Sequence, residues 1–222
     1  MIATKVGVAR DEYKSFNAEA GPGQLRDQVE QNLVTLGRPW LDLVYLRVGG
    51  DGMLFPDETP FEESFGALAR LRERGLIRNL GLSGVTVEQL EAARAIAPVA
   101  AVQNRFHLLD RSALDVLRHC ENEGIAFVPY FPLAAGMLNP GIDKSQLPPG
   151  MGLSDDAEVA LDKLTARHGA TRSQVALAWL LAISPATLLI PGTKSVTHLE
   201  ENLRAGSVQL TDTDLEELDE IA

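Results

Sequence analysis

Near the C-terminus, a glycine, a hydroxyl and a cation stand side by side directly before a predicted helix. They are Gly192, Thr193 and Lys194, in the segment IPGTKS at 190–195. The free backbone N–H groups at the start of a helix attract anions, and a neighbouring lysine adds positive charge. The segment therefore predicts a phosphate-binding site, with the alternative that Lys194 is an ordinary solvated cation on the surface.

The elements that must position such a site alternate regularly along the chain. Short apolar runs, each followed by an amphipathic stretch, are typical of β-α units around a parallel sheet. We predict one α/β domain over 1–222, with six strands at 1–6, 41–46, 78–82, 99–103, 125–128 and 187–190. The predicted helices are at 22–36, 61–74, 87–96, 113–123, 157–168, 173–182, 196–203 and 213–221. We expect loops at 8–21, 48–60 and 131–154.

Composition limits the partners that the chain can have. A net charge of −11 opposes binding to nucleic acid or to an anionic membrane. The longest apolar runs are too short to span a bilayer, and no signal peptide is recognisable. Cys120 is the only cysteine, and the four histidines lack metal-ligand spacing. We therefore expect a cytoplasmic protein with no metal site and no nucleic-acid or membrane partner.

At the level of motifs, the chain resembles aldo-keto reductases of the bacterial kind. The matching segments follow the family's order from end to end: ATKVG (3–7), QVEQNL (28–33), LDL (41–43), GLS (81–83), VQN (102–104), FPLAAG (131–136), VALAWLL (175–181) and IPGT (190–193). The resemblance implies a TIM-barrel type (β/α)8 fold. Because Met1 falls at the family's third strand, it also implies an incomplete barrel of about six β-α units that lacks the first two.

The resemblance further implies NADP(H) as cofactor and a set of binding residues. Ser83 and Gln103 match positions that hydrogen-bond the nicotinamide carboxamide, and Tyr130 matches the aromatic residue on which that ring stacks. Lys194 matches the 2′-phosphate site. The remaining matched positions, of which the last two hold the adenine, are Leu133, Gly192, Thr193, His198, Glu201 and Asn202.

The catalytic positions depart from the family pattern. The family uses a tyrosine as acid, a lysine and an aspartate to tune it, and a histidine to orient the carbonyl. Lys5 matches the lysine, Arg47 stands at the histidine position, and the aspartate and tyrosine belong to the part that the chain does not contain. Gly84 replaces the family's asparagine after Ser83. We expect neither Tyr13, in a loop, nor Tyr45, facing away from the barrel centre, to serve as the acid.

Arg47 is the most informative of these departures. A guanidinium cannot shuttle a proton, but it can bind a carboxylate or enolate oxygen bidentately. Beside it, Lys5 would have a lowered pKa and could act as a base or nucleophile. We predict Lys5 and Arg47 as catalytic residues acting on a small carbonyl or acidic substrate, with the alternative that Arg47 fills space or pairs with Asp51.

Three functions are compatible with these residues. The first is an NADPH-dependent carbonyl reductase, and the second is a barrel repurposed for non-redox cyclase, lyase or isomerase chemistry. The third is a non-catalytic binding subunit. In each case, unpaired strand edges in an incomplete barrel favour a homodimer or a strand-exchanged oligomer.

Overall fold

The computed structural model describes residues 1–10, 16–49, 58–143 and 152–221 of the chain. The chain forms two compact units. The first comprises residues 1–104 and 119–127, and the second comprises residues 105–118 and 128–222. In the described residues, no helix is long and apolar enough to cross a membrane.

The first unit is built on a five-stranded parallel sheet. The unit has seven strands in its described residues, of which five belong to this sheet. In chain order they are β1 (Ala3–Val6), β2 (Val8–Arg10), β3 (Phe16–Ala18), β4 (Leu41–Arg47), β5 (Ile77–Ser83), β6 (Val99–Gln103) and β7 (Ala126–Phe127). The sheet has the order β1-β4-β5-β6-β7, while β2 and β3 form a separate antiparallel ribbon. Strand β4 is buried almost throughout, as expected for a central strand of a parallel sheet.

Helices α1 (Pro22–Leu36), α2 (Phe61–Glu73) and α3 (Val87–Ile96) follow these strands, and α4 (Leu114–Glu123) contributes residues to both units. Local signals in the sequence fix their ends. Pro22 occupies the first turn of α1, where its missing N–H costs nothing, and Gly37 ends it with a left-handed φ of 60°. Thr86 and Gln89 form a capping box at the start of α3.

The second unit is mainly helical in its described residues. It contains α5 (Asp155–His168), α6 (Arg172–Ile183), α7 (Val196–Arg204) and α8 (Asp212–Asp219), with short 3-10 turns at Ala134–Gly136 and Ala205–Ser207. Thr171 and Thr211 cap α6 and α8 through the same capping-box arrangement. Trp179 of α6 lies fully inside the core and stacks on Phe106, with ring centroids 5.7 Å apart.

The parallel strands and their connecting helices confirm the predicted α/β fold of the TIM-barrel type. The predicted bounds of α1, α3 and β6 agree with the structure to the residue. Two predictions were wrong. Residues 188–190 form no strand, and part of the predicted loop at 8–21 is the β2–β3 ribbon. The ribbon was missed because its two strands have only three residues each, too few to establish an alternating pattern.

Candidate active site

Strand register brings three polar side chains to one row at the ends of neighbouring strands. Arg47 of β4 pairs with Ser83 of β5, and Ser83 pairs with Gln103 of β6. The carboxyl ends of parallel strands are where α/β folds place their functional groups. We call these three residues, together with Lys5 and Tyr45, the strand-end site.

Lys5 and Tyr45 lie in the row before, together with Gly81. Lys5 pairs with Tyr45, and Tyr45 pairs with Gly81. The Tyr45 ring lies so close over Gly81 that a Cβ on the glycine would be 2.6 Å from the ring and 2.9 Å from the carbonyl oxygen of Ala101. The absent side chain at Gly81 therefore provides the space that Tyr45 occupies.

The prediction that Tyr45 faces away from the centre was wrong. Side chains two residues apart on a strand share a face, so Tyr45 lies on the same side of β4 as Arg47. Its ring centroid is 5.8 Å from Nζ of Lys5. Burial raises the pKa of Tyr45 to about 12, so the phenol stays protonated at neutral pH. Tyr13 and Asp51 lie outside the described residues.

Lys5 has the electrostatic environment that the sequence predicted. Burial among protein atoms is the main factor that lowers its pKa, and the nearby charge of Arg47 lowers it further. The side chain still reaches solvent, so it is accessible to a small molecule. Among the described residues, no carboxylate offsets these effects by pairing with Lys5.

Arg47 is held against the β2–β3 ribbon. Its guanidinium carbon lies 5.4 Å from the centroid of the Phe16 ring, a cation–π distance. Gly7 packs against the backbone of Arg47 with a positive φ of 93°, and a Cβ at that position would be 2.7 Å from the Arg47 carbonyl oxygen. The ribbon thus contacts the side chain of Arg47 through Phe16, while Gly7, which directly precedes the ribbon, packs against the Arg47 backbone.

Ser83 and Gln103 are both buried, each with 3% exposure. Within the described part of the chain, Oε1 of Gln103 is buried without a hydrogen-bond partner. A buried acceptor that lacks a donor is costly, and it suits a ligand that brings an N–H group. A carboxamide has such a group, so the two residues fit the nicotinamide end of NADP(H).

Asn104 is a further residue at this edge; it belongs to the matched segment VQN, but no role was predicted for it. Its side-chain oxygen accepts bonds from the amides of Gly84 and Val85, and its side-chain nitrogen donates to the Val85 carbonyl. These bonds hold the turn directly after Ser83. Gly84 has a φ of 73°, a left-handed conformation that suits glycine. The glycine found in place of the family's asparagine therefore fits the shape of the turn.

The second unit contains a groove with a volume of about 510 Å³. It is bordered by the loop after β7, the start of α6 and the segment that leads into α7. Six residues predicted to bind cofactor line it: Leu133, Gly192, Thr193, His198, Glu201 and Asn202. We call it the nucleotide groove, because these six positions are ones that the family resemblance assigns to binding of the dinucleotide.

Hydrogen bonds fix the walls of the nucleotide groove. Ser195 caps α7 by accepting a bond from the His198 amide, and the Ser195 amide donates to Oγ1 of Thr193. Glu201 is bonded to the start of α6, since Thr171 donates to its carboxylate at 2.5 Å and Gln174 donates to its carbonyl at 3.0 Å. The carboxylate of Glu201 is therefore held in place before any ligand arrives.

Two predicted cofactor residues of this unit do not line the groove. Lys194 is exposed beside it, next to Thr193. Tyr130 is half-buried and packs edge-on against Phe131, with ring centroids 5.3 Å apart. In the described residues, no group of three or more histidine, cysteine or acidic side chains could hold a metal ion.

Ser173, Asn139 and Phe131 also line the groove, although the sequence did not predict them. The spacing of Thr171 and Gln174 marks the start of α6, which places Ser173 in its first turn. No sequence signal shows that this turn borders the same groove as α7. That information comes only from packing.

A comparison with known proteins identifies related chains. The sequence model of the aldo/keto reductase family matches residues 1–222. Pyridoxine 4-dehydrogenase of Escherichia coli is 40% identical over 225 residues, which cover 100% of this chain and 71% of that enzyme. The chain spans 65% to 71% of the length of the curated relatives it matches.

Solved structures agree with this likeness. An aldo/keto reductase from Klebsiella pneumoniae, solved in complex with NADP and acetate, has a TM-score of 0.71 at 27% identity, over 90% of this chain and 65% of that one. The glycerol dehydrogenase of Gluconobacter oxydans has a TM-score of 0.80 over 98% of this chain and 70% of that one. Its identity of 23% supports a shared fold alone.

Proposed function

The chain belongs to the aldo/keto reductase family, and on this premise we propose that it is an NADP(H)-dependent oxidoreductase of small carbonyl compounds and alcohols. The observation that carries the proposal is the nucleotide groove, because residues scattered over 133–202 in the sequence meet around one cavity. The unpaired acceptor of Gln103, which lies in the other unit, supports it independently.

Each end of the cofactor has candidate partners in the chain. Ser83 and Gln103 suit the nicotinamide carboxamide, and Tyr130 suits its ring. The start of α7, with Gly192 and Thr193, suits phosphate, and Lys194 beside it suits the 2′-phosphate. Leu133, His198, Glu201 and Asn202 would hold the rest of the nucleotide.

Lys5 and Arg47 would act on the substrate. NADPH, when bound, supplies the hydride for carbonyl reduction. The developing alkoxide needs a proton, and an ammonium whose pKa is lowered gives it up more readily than an ordinary lysine. Arg47, one row beyond Lys5, would hold an oxygen or a carboxylate of the substrate with its planar fork of donors.

A second function is favoured by the same lysine. Lys5 has a lowered pKa and, among the described residues, no acidic partner, which are the properties of a base or an amine nucleophile. Together with Arg47 it could perform elimination, cyclisation or isomerisation on an acidic or carbonyl substrate. This chemistry would need no transfer of hydride.

NADPH binding followed by fluorescence, with NADH as comparator, tests the proposal first. Turnover is then assayed in both directions: oxidation of pyridoxine, the alcohol in the name of the Escherichia coli relative, with NADP+, and reduction of a panel of aldehydes and ketones with NADPH. Binding together with turnover supports the reductase. Binding without redox turnover on the whole panel favours the second function. An absence of binding contradicts the cofactor assignment, and it leaves the second function, which needs no hydride, and a non-catalytic subunit.

Two variants sharpen the binding test. Lys194→Met should weaken NADPH at least threefold and leave NADH unchanged, because only NADPH carries the 2′-phosphate. Gln103→Leu should weaken both nucleotides equally, since both have the carboxamide. Equal losses of NADPH and NADH in Lys194→Met would contradict the phosphate assignment.

The proposal extends to assembly and location. In the described sheet, β1 is an edge strand, and large apolar side chains of the second unit are exposed, with Val196 and Leu203 at 72% and Leu188 at 54%. Such surfaces favour a homodimer or strand-exchanged oligomer. Light scattering should give twice the 24.0 kDa chain mass, and a monomer would contradict it.

The buried single Cys120 is consistent with a cytoplasmic location, which cell fractionation tests.

A further inference from the structure

The first turn of α6 bonds to the α7 wall of the nucleotide groove. Thr171 and Gln174 hold Glu201 by its carboxylate and its carbonyl. Between them in the sequence, Ser173 lines the groove directly. This turn therefore sets the position of α7 at the groove.

Arg172, in the same turn, bonds in another direction. Its side chain is 8% exposed; Nε donates to Asp162 of α5 at 2.7 Å, and a terminal nitrogen donates to the Leu138 carbonyl at 3.3 Å. The other terminal nitrogen is 3.6 Å from the carboxylate of Glu158. Leu138 and Asn139 belong to the loop after β7, and both line the groove. Arg172 is not among the described residues that line it.

The loop that Arg172 holds needs support from its surroundings. Phe131, Ala134 and Ala135 all have positive φ, of 56°, 50° and 52°. Side chains other than glycine rarely adopt this conformation, and it persists only where neighbouring structure enforces it. The bond from Arg172 to the Leu138 carbonyl ties the far end of this strained segment to α5 and α6.

We infer that Arg172 is a positioning residue for the nucleotide groove, which fixes the wall formed by the loop after β7. The inference rests on the proposed function, since it assigns the groove to NADP(H). A guanidinium suits the role because its planar fork reaches a carboxylate and a carbonyl in different directions at once. A lysine ammonium presents its donors from a single point and lacks this fork, so we expect it to hold the two acceptors less well.

The affinity test compares Arg172→Met and Arg172→Lys with the wild type by NADPH fluorescence titration, at a temperature where circular dichroism shows all three folded. We expect the Kd to rise at least tenfold in Arg172→Met and about threefold in Arg172→Lys. With the best carbonyl substrate found, the KM for NADPH should rise in parallel while kcat changes less than twofold.

Arg204→Met is the matched control. It removes the same charge from α7, where Arg204 is exposed and pairs only with Glu200 among the described residues. Its Kd should stay within twofold of the wild type, which separates positioning from a general loss of positive charge. Should Arg172→Met fold poorly, Asp162→Ala keeps the arginine and removes one anchor, and it should raise the Kd about threefold.

Hydrogen exchange on the protein without nucleotide tests the anchoring separately. The amides of Ala134, Gly136, Met137 and Asn139 are hydrogen-bonded within the loop, and we expect them to exchange at least tenfold faster in Arg172→Met. Unchanged exchange overturns the inference whether or not the wild type binds NADPH. Faster exchange with an unchanged NADPH Kd overturns it too. If the wild type binds no NADPH, the proposed function fails, while faster exchange still supports the positioning role.

Discussion

The strand-end site and the nucleotide groove are built in different ways. In the strand-end site, Arg47, Ser83 and Gln103 are aligned by the register of three paired strands. In the groove, Glu201 and the start of α7 are positioned by helix caps and by single side-chain bonds from α6. Residues far apart in the chain are brought together by strand pairing in the first site, and by helix caps and bonds between helices in the second.

This difference determines what a substitution can do in each region. The pairing of a strand is made by its backbone, so a substitution of Arg47 can change how the site acts on a substrate while strand pairing keeps Ser83 and Gln103 in place. In the groove, the backbone and its bonds are the binding surface, so a change in an anchoring residue alters shape. We therefore expect variants in the first site to alter turnover, and variants in the second to alter affinity.

The largest expected effect is a loss of turnover in Lys5→Ala. A positioned acid or base contributes about 10² to 10⁴ in rate, so kcat should fall at least about a hundredfold. The NADPH Kd should stay within twofold, because the groove is untouched. Lys163→Ala, which removes an exposed lysine of α5, is the control and should retain full activity. Full activity in Lys5→Ala would remove this lysine from the mechanism.

The next effect is on stability, in Gly81→Ala. A methyl group there would meet the Tyr45 ring at 2.6 Å and a backbone oxygen at 2.9 Å, so the ring and strand must shift. Such overpacking costs about 1–3 kcal/mol in the free energy of unfolding, measured by urea denaturation. Gly66→Ala in α2 is the control, since its Cβ would meet only Arg70 at 3.5 Å. It should be neutral or stabilising by about 0.5–1 kcal/mol.

Sequence periodicity was sufficient for most of the fold. Helix α1 has both a start signal, Pro22, and a stop signal, Gly37, and its predicted bounds agree with the structure. The segment at 187–190 was predicted as a strand because it is apolar and short. A strand also requires a paired neighbour, and 188–190 has none in the described residues. Leu188 and Ile190 are also exposed, at 54% and 45%, so an apolar run alone establishes neither the burial of a segment nor its partner.

The same limit applies to the candidate sites. Contiguous motifs predicted the residues around 192–202, since the start of a helix and its phosphate-binding loop are adjacent in the chain. The closeness of Lys5 and Tyr45 depends on strand register and was not predicted. Asn104 and Arg172 also escaped prediction, because their roles consist of bonds to backbone groups that only folding brings near.

A smaller effect on NADPH affinity is expected when Thr171, which bonds to Glu201 in the wall of the groove, is changed. Thr171→Val removes the cap of α6 and the bond to Glu201, while Thr171→Ser keeps both. Loss of a cap costs about 1 kcal/mol in unfolding free energy. We also expect the NADPH Kd to rise about threefold in Thr171→Val and not in Thr171→Ser. A fall in stability with an unchanged Kd would show that Glu201 keeps its position without Thr171.

The smallest effect is a change in pH dependence that links the two cations of the strand-end site. If Lys5 donates the proton in carbonyl reduction, kcat falls as pH rises through its pKa, which burial and then Arg47 hold below the ordinary 10.5. Arg47→Met removes only the second cause, so the alkaline limb should move to higher pH but stay below 10.5. An unmoved limb, or one displaced to lower pH, would mean that Arg47 does not act on the proton donor. Arg47 would then serve only to hold the substrate, and its loss would appear in KM.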